Sequence, residues 1–528
     1  MSEAAGRDLW GATEMDKRLA QILAVLILLV MYGSAARANS REIQFPFTGG
    51  YLVGDPNSLA FTPDGKLGFA LLIGADNIGR RLFSFSVTDS NVVSVAEIAS
   101  DLAGTGGAGF VPAISISVDY RAGLLFVYGT DTATNEKVIC FAFDHVGELT
   151  RLWSANYAGP QILSSGTELA FSTDGSRAFI VYSHSERGTV VNRLDLLDAV
   201  SGTVLATADL TSSQPLALAV LLDDSHSRVV ALCDQAAFIF KPATDVLEID
   251  SRIDFGARAP LSAVGLSSGG RFFVTYAGFR RTALNGGVNI YRVYDLNLLR
   301  AMEFEFPAPL FPASNQIAFN ARTGTIADAP IAGFQGGGFQ ITLKPRRSLE
   351  IYNLAADGVL TRTFDIQTPK PDGGIFSGPV LSGSGALGLI PTVTGKLLSF
   401  DMLTGELIGN QFIGGNTATV IQLVESQQLL SFTDGTNKLT LVDMNTGPTI
   451  ENVKARGSNT TITGTNFLAG VRVQINGMDV EGATRSPDDP GHIITIGRGK
   501  RDFPSGQSFS ISVTNRDGLA SEPFVLTR

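Results

Sequence analysis

The chain is poor in the residues on which reaction chemistry is usually built. Four histidines, His145, His184, His226 and His492, are scattered over 528 residues. Each sits alone in a polar, turn-like context (FDHVGE, YSHSER, DDSHSR, PGHIIT), so none supplies a paired acid and base or a zinc-ligand spacing. No G-x-S-x-G elbow, H-E-x-x-H helix or G-x-x-x-x-G-K-[ST] loop occurs. Nucleophilic, zinc-peptidase and nucleotide mechanisms therefore lack their positioning elements. Asp223-Asp224 and Asp488-Asp489 do not reproduce a spaced calcium-binding loop. The glycine run of Phe334-Gln335-Gly336-Gly337-Gly338-Phe339 has no Lys-Ser/Thr after it and reads as a long loop. No residue is assigned as catalytic, cofactor-binding or metal-ligating, and no cofactor is expected.

Cysteine is nearly absent. Cys140 and Cys233 lie in apolar strand-like runs of different repeats, neither in a C-x-x-C, and are expected as two buried free thiols rather than a disulfide. Tryptophan is also scarce: beyond the leader only Trp153 remains, too few for the repeated Trp motifs of quinoprotein dehydrogenases. Charged residues make up 17% of the chain and the formal net charge is -10. That balance argues against nucleic acid or anionic lipid as a partner.

What is present is length, glycine and short apolar runs. A chain this long exceeds one ordinary core unless its architecture repeats, and 58 glycines with 44% hydrophobic residues fit many short strands joined by tight turns. Residues 19–32 (LAQILAVLILLVMY) follow Asp16-Lys17-Arg18 and precede Ala36-Arg37-Ala38, the layout of a secretory signal peptide over 1–38 cleaved before Asn39. Met15 heads a better-shaped signal than Met1 and is an alternative start. No cysteine follows the run to carry a lipid, and no membrane span is expected after cleavage.

From about residue 58 to 447 one grammar recurs: an apolar strand, a polar Gly turn, a second apolar strand, a third ending in a turn, and a fourth. LAFTPDGK leading to GFALLIG and LAFSTDGS leading to RAFIVYS are nearly identical first hairpins, turned at Asp64-Gly65 and Asp174-Gly175. Glycine there accepts the positive φ of a tight turn. Third strands close with Asp401-x-x-Thr404-Gly405 and Asp443-x-x-Thr446-Gly447. The count is about eight units of roughly 50 residues, with seven also possible. Such a sheet cannot bury both faces alone, so the units are expected to stack radially as a β-propeller over 39–447. The last unit shows three strands, and residues 42–47 (EIQFPF) are expected to supply the missing outer one.

These repeats resemble the exported bacterial propellers of the YVTN and lactonase-like superfamily, whose units read strand, S/T-P-D-G-K, strand, V-Y/D-x-x-T-G. The resemblance covers most of 58–447 and lies mainly in the turns. The Y-V-T-N tetrapeptide itself is missing, as are the Trp-Asp dipeptide of WD repeats and the kelch pattern.

After Gly447-Pro448 a different all-β pattern fills 448–528. Gly464-x-Asn466-Phe467, a V-x-I-N-Gly477 strand and the hairpin of Asn515, Arg516, Asp517 and Gly518 resemble an IPT/TIG domain, which implies an immunoglobulin-like β-sandwich. Asn466, Gly477 and the 515–518 turn are read as structural, and Lys500-Arg501 as one basic pair beside Arg498.

Together these readings give an all-β chain: a β-propeller followed by an immunoglobulin-like domain, secreted, periplasmic or on the cell surface. The expected function is a non-catalytic binding or scaffold protein that contacts protein or glycan outside the cytoplasm. The alternative implied by the propeller resemblance is a lactonase-like or regucalcin-like metal-dependent hydrolase with its site at the propeller axis.

Overall fold

The structure, a computed structural model, describes residues 40–52, 58–74, 79–102, 115–130, 136–157, 169–172, 174–186, 189–210, 219–223, 228–233, 236–241, 246–254, 262–280, 287–308, 315–330, 348–370, 375, 378–412, 420–424, 429–433, 436–443 and 447–528. The signal-peptide segment, Asp224, His226 and the glycine run at 336–338 lie outside the described residues, as does the turn 444–446.

The fold is all-β. Among the described residues, residues 40–443 form eight antiparallel sheets, seven of four strands and the first of five. The extra strand of the first sheet is an interruption rather than an addition. Gly50–Leu52 pairs with Leu72 to Gly74 and Leu59–Phe61 pairs with Gly68 to Ala70, so the two lie end to end along one edge of Leu67–Gly74. Within the other sheets up to the seventh, consecutive strands are neighbours, as short hairpin connections favour.

The sequence pattern explains the layering. The second strand Leu67–Gly74 is buried at every residue, as are Val229–Leu232 and Leu429–Thr433, because both faces of these strands are covered by neighbouring sheets. Fourth strands such as Val204–Leu210 and Ile249–Asp254 are largely exposed. Neighbouring sheets from the first to the seventh pack on each other through apolar layers. Phe69 and Leu82 meet Leu125 and Ile139 between the first two sheets, and Val274 and Val293 meet Ile326 and Leu354 between the fifth and sixth. Leu429, Leu439 and Leu441 of the eighth sheet share a layer with Leu72, Phe83 and Phe85 of the first. The sheets are propeller-like blades in this sense.

The eighth sheet takes its fourth strand from the other end of the chain: Ser40–Gln44 lies beside Lys438–Asp443. The strand starts two residues earlier than the expected 42–47 and stops at Gln44, shortly before Pro46, which has no N–H to give to a ladder. Ile43 and Phe45 are fully buried, and the Asn437 side chain donates to the carbonyls of Phe45 and Phe47 at 3.0 and 3.2 Å.

Residues 449–527 form two further four-stranded antiparallel sheets. Thr449–Arg456, Asn459–Thr465, Ile493–Ile496 and Thr484–Arg485 make one. Met478–Val480, Arg472–Ile475, Ser508–Thr514 and Phe524–Thr527 make the other. Val453, Ile462, Phe467, Val473, Ile494, Ile511 and Val513 are buried in one core between them.

Cys140 and Cys233 are buried and not joined in a disulfide, and burial pushes the Cys140 thiol up to about 12. One histidine differs from expectation: His184 belongs to the strand Arg177–Glu186, opposite Val191, rather than to a turn. Alternation hides this because SHSER reads as polar wherever it stands.

Candidate functional site

Two polar arrangements stand out among the described residues. The first joins the seventh sheet to the C-terminal sandwich. Asp401 ends the strand Lys396–Asp401, and its carboxylate is fully buried. Its own turn uses one oxygen, with the Leu403 amide donating to Oδ1 at 2.8 Å, while the Gly405 amide donates to the Asp401 carbonyl at 2.7 Å. The sandwich supplies the rest. Arg516 approaches with Nη1 2.9 Å from Oδ2 and Nη2 2.8 Å from Oδ1, and the Ala469 amide donates to Oδ2 at 2.6 Å. Paired donors in this fork geometry are among the strongest hydrogen bonds a carboxylate accepts.

Arg485 adds a second contact, 2.6 Å from Glu406 Oε2. Arg516 Nη2 also donates to the Ala386 carbonyl at 3.1 Å. Gly491 lies so close to Ile408 that a side chain would strike its backbone. Burial pushes the Asp401 carboxyl up, but the Arg516 guanidinium and the Ala469 and Leu403 amides outweigh it, so the group ends below the ordinary carboxylate value. Beside this junction lies a cleft of about 410 Å³ lined by Thr323, Asn353, Ser384, Leu403, Arg516 and Asp517 among others.

The second arrangement is buried between the fifth and sixth sheets. Asp328 and Glu350 face each other across neighbouring strands, and Asn289 Nδ2 lies 3.4 Å from the first and 3.3 Å from the second. Tyr291 donates to Asp328 at 2.5 Å, Tyr352 to Glu350 at 2.5 Å, and Tyr276 to Asn289 at 3.0 Å. Burial raises the Tyr291 and Tyr352 hydroxyls well above their ordinary value, and the neighbouring carboxylates raise them further, so both remain proton donors. Arg362 supplies the positive charge, 3.1 Å from Glu350 Oε1. These residues do not fit a divalent-cation cradle. A guanidinium already answers Glu350, and the carboxylates lie between two sheets on the second and third strands of the sixth.

The residues singled out by sequence fall into three groups. Asp64 and Asp174 organise their turns: Thr62 Oγ1 donates to Asp64 at 2.7 Å, Ser172 Oγ to Asp174 at 2.7 Å, and Gly65 and Gly175 have φ of 65° and 67°. The Ser172 hydroxyl and the Ser176 amide pull the Asp174 carboxyl down to about 2. Asp443 ends its strand and Gly447 is buried, but the turn between them lies outside the described residues.

Gly464, Asn466, Phe467 and Asn515 come together in the sandwich. Asn515 donates to the Asn466 carbonyl at 2.8 Å and accepts from the Leu468 amide at 3.0 Å. A side chain at Gly464 would collide with the Thr449 carbonyl and the Phe467 ring. Asn466 itself adopts φ 58°, a conformation asparagine tolerates better than most residues. Gly477 (φ 78°) and Gly518 (φ 89°) close separate turns, and the Leu519 amide donates to Asp517 at 3.1 Å. Sequence reasoning read Asp401 and Arg516 only as turn residues. The signal that could have paired them, a lone arginine inside an otherwise ordinary Asn-x-Asp-Gly turn, names no partner.

No family model matches the chain, and no curated protein matches it. Among solved structures, it is similar to the computationally designed Ika8 protein, with 12% identity over 76% of this chain and all of that one and a TM-score of 0.46.

Proposed function

We propose that the protein is an exported binding or scaffold protein. In this reading residues 39–447 form an eight-bladed β-propeller of the YVTN-like kind, and 448–528 form an IPT/TIG-type immunoglobulin-like domain held on it as a fixed extension. Partners outside the cytoplasm, protein or glycan, are met by loops that the sheets hold rigid. The observation that carries the reading is the buried Arg516–Asp401 fork. A sandwich serving only as a flexible spacer would gain nothing from a desolvated ion pair, whereas one that must present its surface in a fixed direction needs such a joint.

The test is capture of envelope protein and glycan fractions by the mature chain and by its Arg516→Glu variant. Capture by the wild type that weakens in the variant supports the reading. Equal capture of envelope protein by both, or no capture of either fraction by either, overturns it. The hydrolase reading draws on the Asp328–Glu350–Asn289 cluster, in which Tyr291 engages Asp328 Oδ2 and Tyr352 and Arg362 engage the two Glu350 oxygens, and the cluster is better explained as polar packing between sheets.

A further inference from the structure

The sandwich carries nine Lys and Arg residues against eight Asp and Glu, on a chain whose net charge is -10. Its charges are not evenly spread. The strand Thr449–Arg456 starts near the propeller junction and runs eight residues away from it, a distance of about 25 Å. At that far pole the turn after Arg456 meets the segment 498–503. The Lys500 amide donates to the Gly457 carbonyl at 3.0 Å, and Thr460 Oγ1 donates to the Arg498 carbonyl at 2.6 Å. Arg528 joins them by donating through Nη1 to the Phe503 carbonyl at 2.6 Å and to the Lys500 carbonyl.

Backbone bonds thus gather Lys454, Arg456, Arg498, Lys500, Arg501 and Arg528 at one end. All are exposed except the half-buried Arg528. Asp502 is the one acidic residue of the segment 498–503; it accepts from the Gly499 amide at 2.7 Å and lies 3.9 Å from Arg498 Nη1. In sequence these cations form a pair, a near pair and two singles up to 74 positions apart. Only the fold makes them a patch.

We propose that this far pole of the sandwich binds a linear anionic polysaccharide through its carboxylate or sulfate groups. The inference rests on the binding-protein reading and names one class of partner for it. A group of exposed cations drawn from a strand end, the segment 498–501 and Arg528 matches a chain of repeating negative charges, and the acidic body repels the same chain, confining it to the tip. A bilayer is disfavoured by the placement of apolar groups. Phe503 at this end is buried against Phe509 at 5.0 Å, and the exposed Val525, three residues before Arg528, is a single small apolar side chain.

The experiment measures binding of the full mature chain to polygalacturonate and heparin, with neutral dextran, phosphatidylglycerol vesicles and duplex DNA alongside. Polyanion binding is expected to weaken about tenfold or more between about 0.05 and about 0.3 M salt, as release of several counter-ions requires. Lys500→Glu/Arg501→Glu is expected to weaken it at least about tenfold, because each reversal replaces attraction with repulsion. Arg456→Gln, a milder change at an exposed turn, should weaken it about twofold to fivefold, and Lys241→Glu on the fourth sheet should leave it unchanged. Overturning results are no polyanion binding, equal binding by wild type and the tip variants, or tighter binding to vesicles or DNA than to either polysaccharide. The Arg516→Glu protein should still bind polygalacturonate, since the tip is remote from the joint. Loss of envelope capture with retained tip binding would therefore separate failure of the joint from failure of this site.

Discussion

Arg516 grips Asp401 with both terminal nitrogens, at 2.8 and 2.9 Å, and in doing so ties a turn of the C-terminal sandwich to the end of a strand more than a hundred residues earlier. The carboxylate is fully buried, while the guanidinium side is about one quarter exposed. Removing the arginine therefore strands a charge rather than merely deleting a contact.

Arg516→Ala is expected to destabilise the protein by about 3 kcal/mol, the usual cost of leaving one partner of a buried pair uncompensated. Asp401→Asn in the same background should recover part of that loss, because a neutral amide needs no counter-charge. Urea midpoints of the two single variants and the double variant form the cycle that checks this. Strict additivity would contradict the coupling.

The same pair sets a pH dependence. The Asp401 value in the folded chain lies below 3.8, so its contribution is complete above the unfolded value and is lost as pH falls through the folded one. Wild type and Arg516→Ala should therefore differ by a constant amount from about pH 5 to about pH 8 and converge below about pH 4. Denaturation midpoints taken across that range read it directly, and a difference that persists at about pH 2.5 would point to packing instead of charge.

Two glycines separate backbone strain from crowding. Gly518 has φ 89° with nothing near its missing Cβ, whereas at Gly175, φ 67°, a Cβ would lie 2.5 Å from both Ala122 Cβ and Asp119 Oδ2 of the preceding sheet. Gly518→Ala should cost about 1 kcal/mol from conformation alone. Gly175→Ala should cost at least about 1 kcal/mol more, since the second and third sheets must part to admit it. Equal shifts in melting temperature would mean that the intersheet contact yields freely.

The strand Ser40–Gln44 is expected to act as a latch. Phe45 packs at 5.1 Å from Phe83 and 5.8 Å from Phe85, so Phe45→Ala should cost about 3 to 5 kcal/mol. Deleting residues 40–47 should also leave Lys438–Asp443 as an open edge and promote self-association. Calorimetry and light scattering would show both effects. An unchanged melting temperature would remove the latch from the account.

Much of the fold was legible because it is written in short range. Alternating apolar runs and turns such as Thr62-Pro63-Asp64-Gly65 specify hairpins within a dozen residues, and a hairpin that cannot cover its own faces must stack. The two first hairpins quoted from sequence have their strands paired, and the apolar run around Cys140 is a buried strand. Asp64, Asp174 and Asn466 likewise do locally what their turns require.

Sequence by itself determined most of the strands and turns, because each depends on neighbours in the chain and on a backbone geometry that few residue types can adopt, while the choice between seven and eight units was left to the fold. Only the tertiary structure decided which charges meet. Asp401 and Arg516, the Asp328–Glu350 pair with its tyrosines, and the cations from Lys454 to Arg528 are brought together across long stretches of chain by the packing of sheets. Electrostatic partnership depends on distance and burial in space, and neither has a period that a single sequence can display.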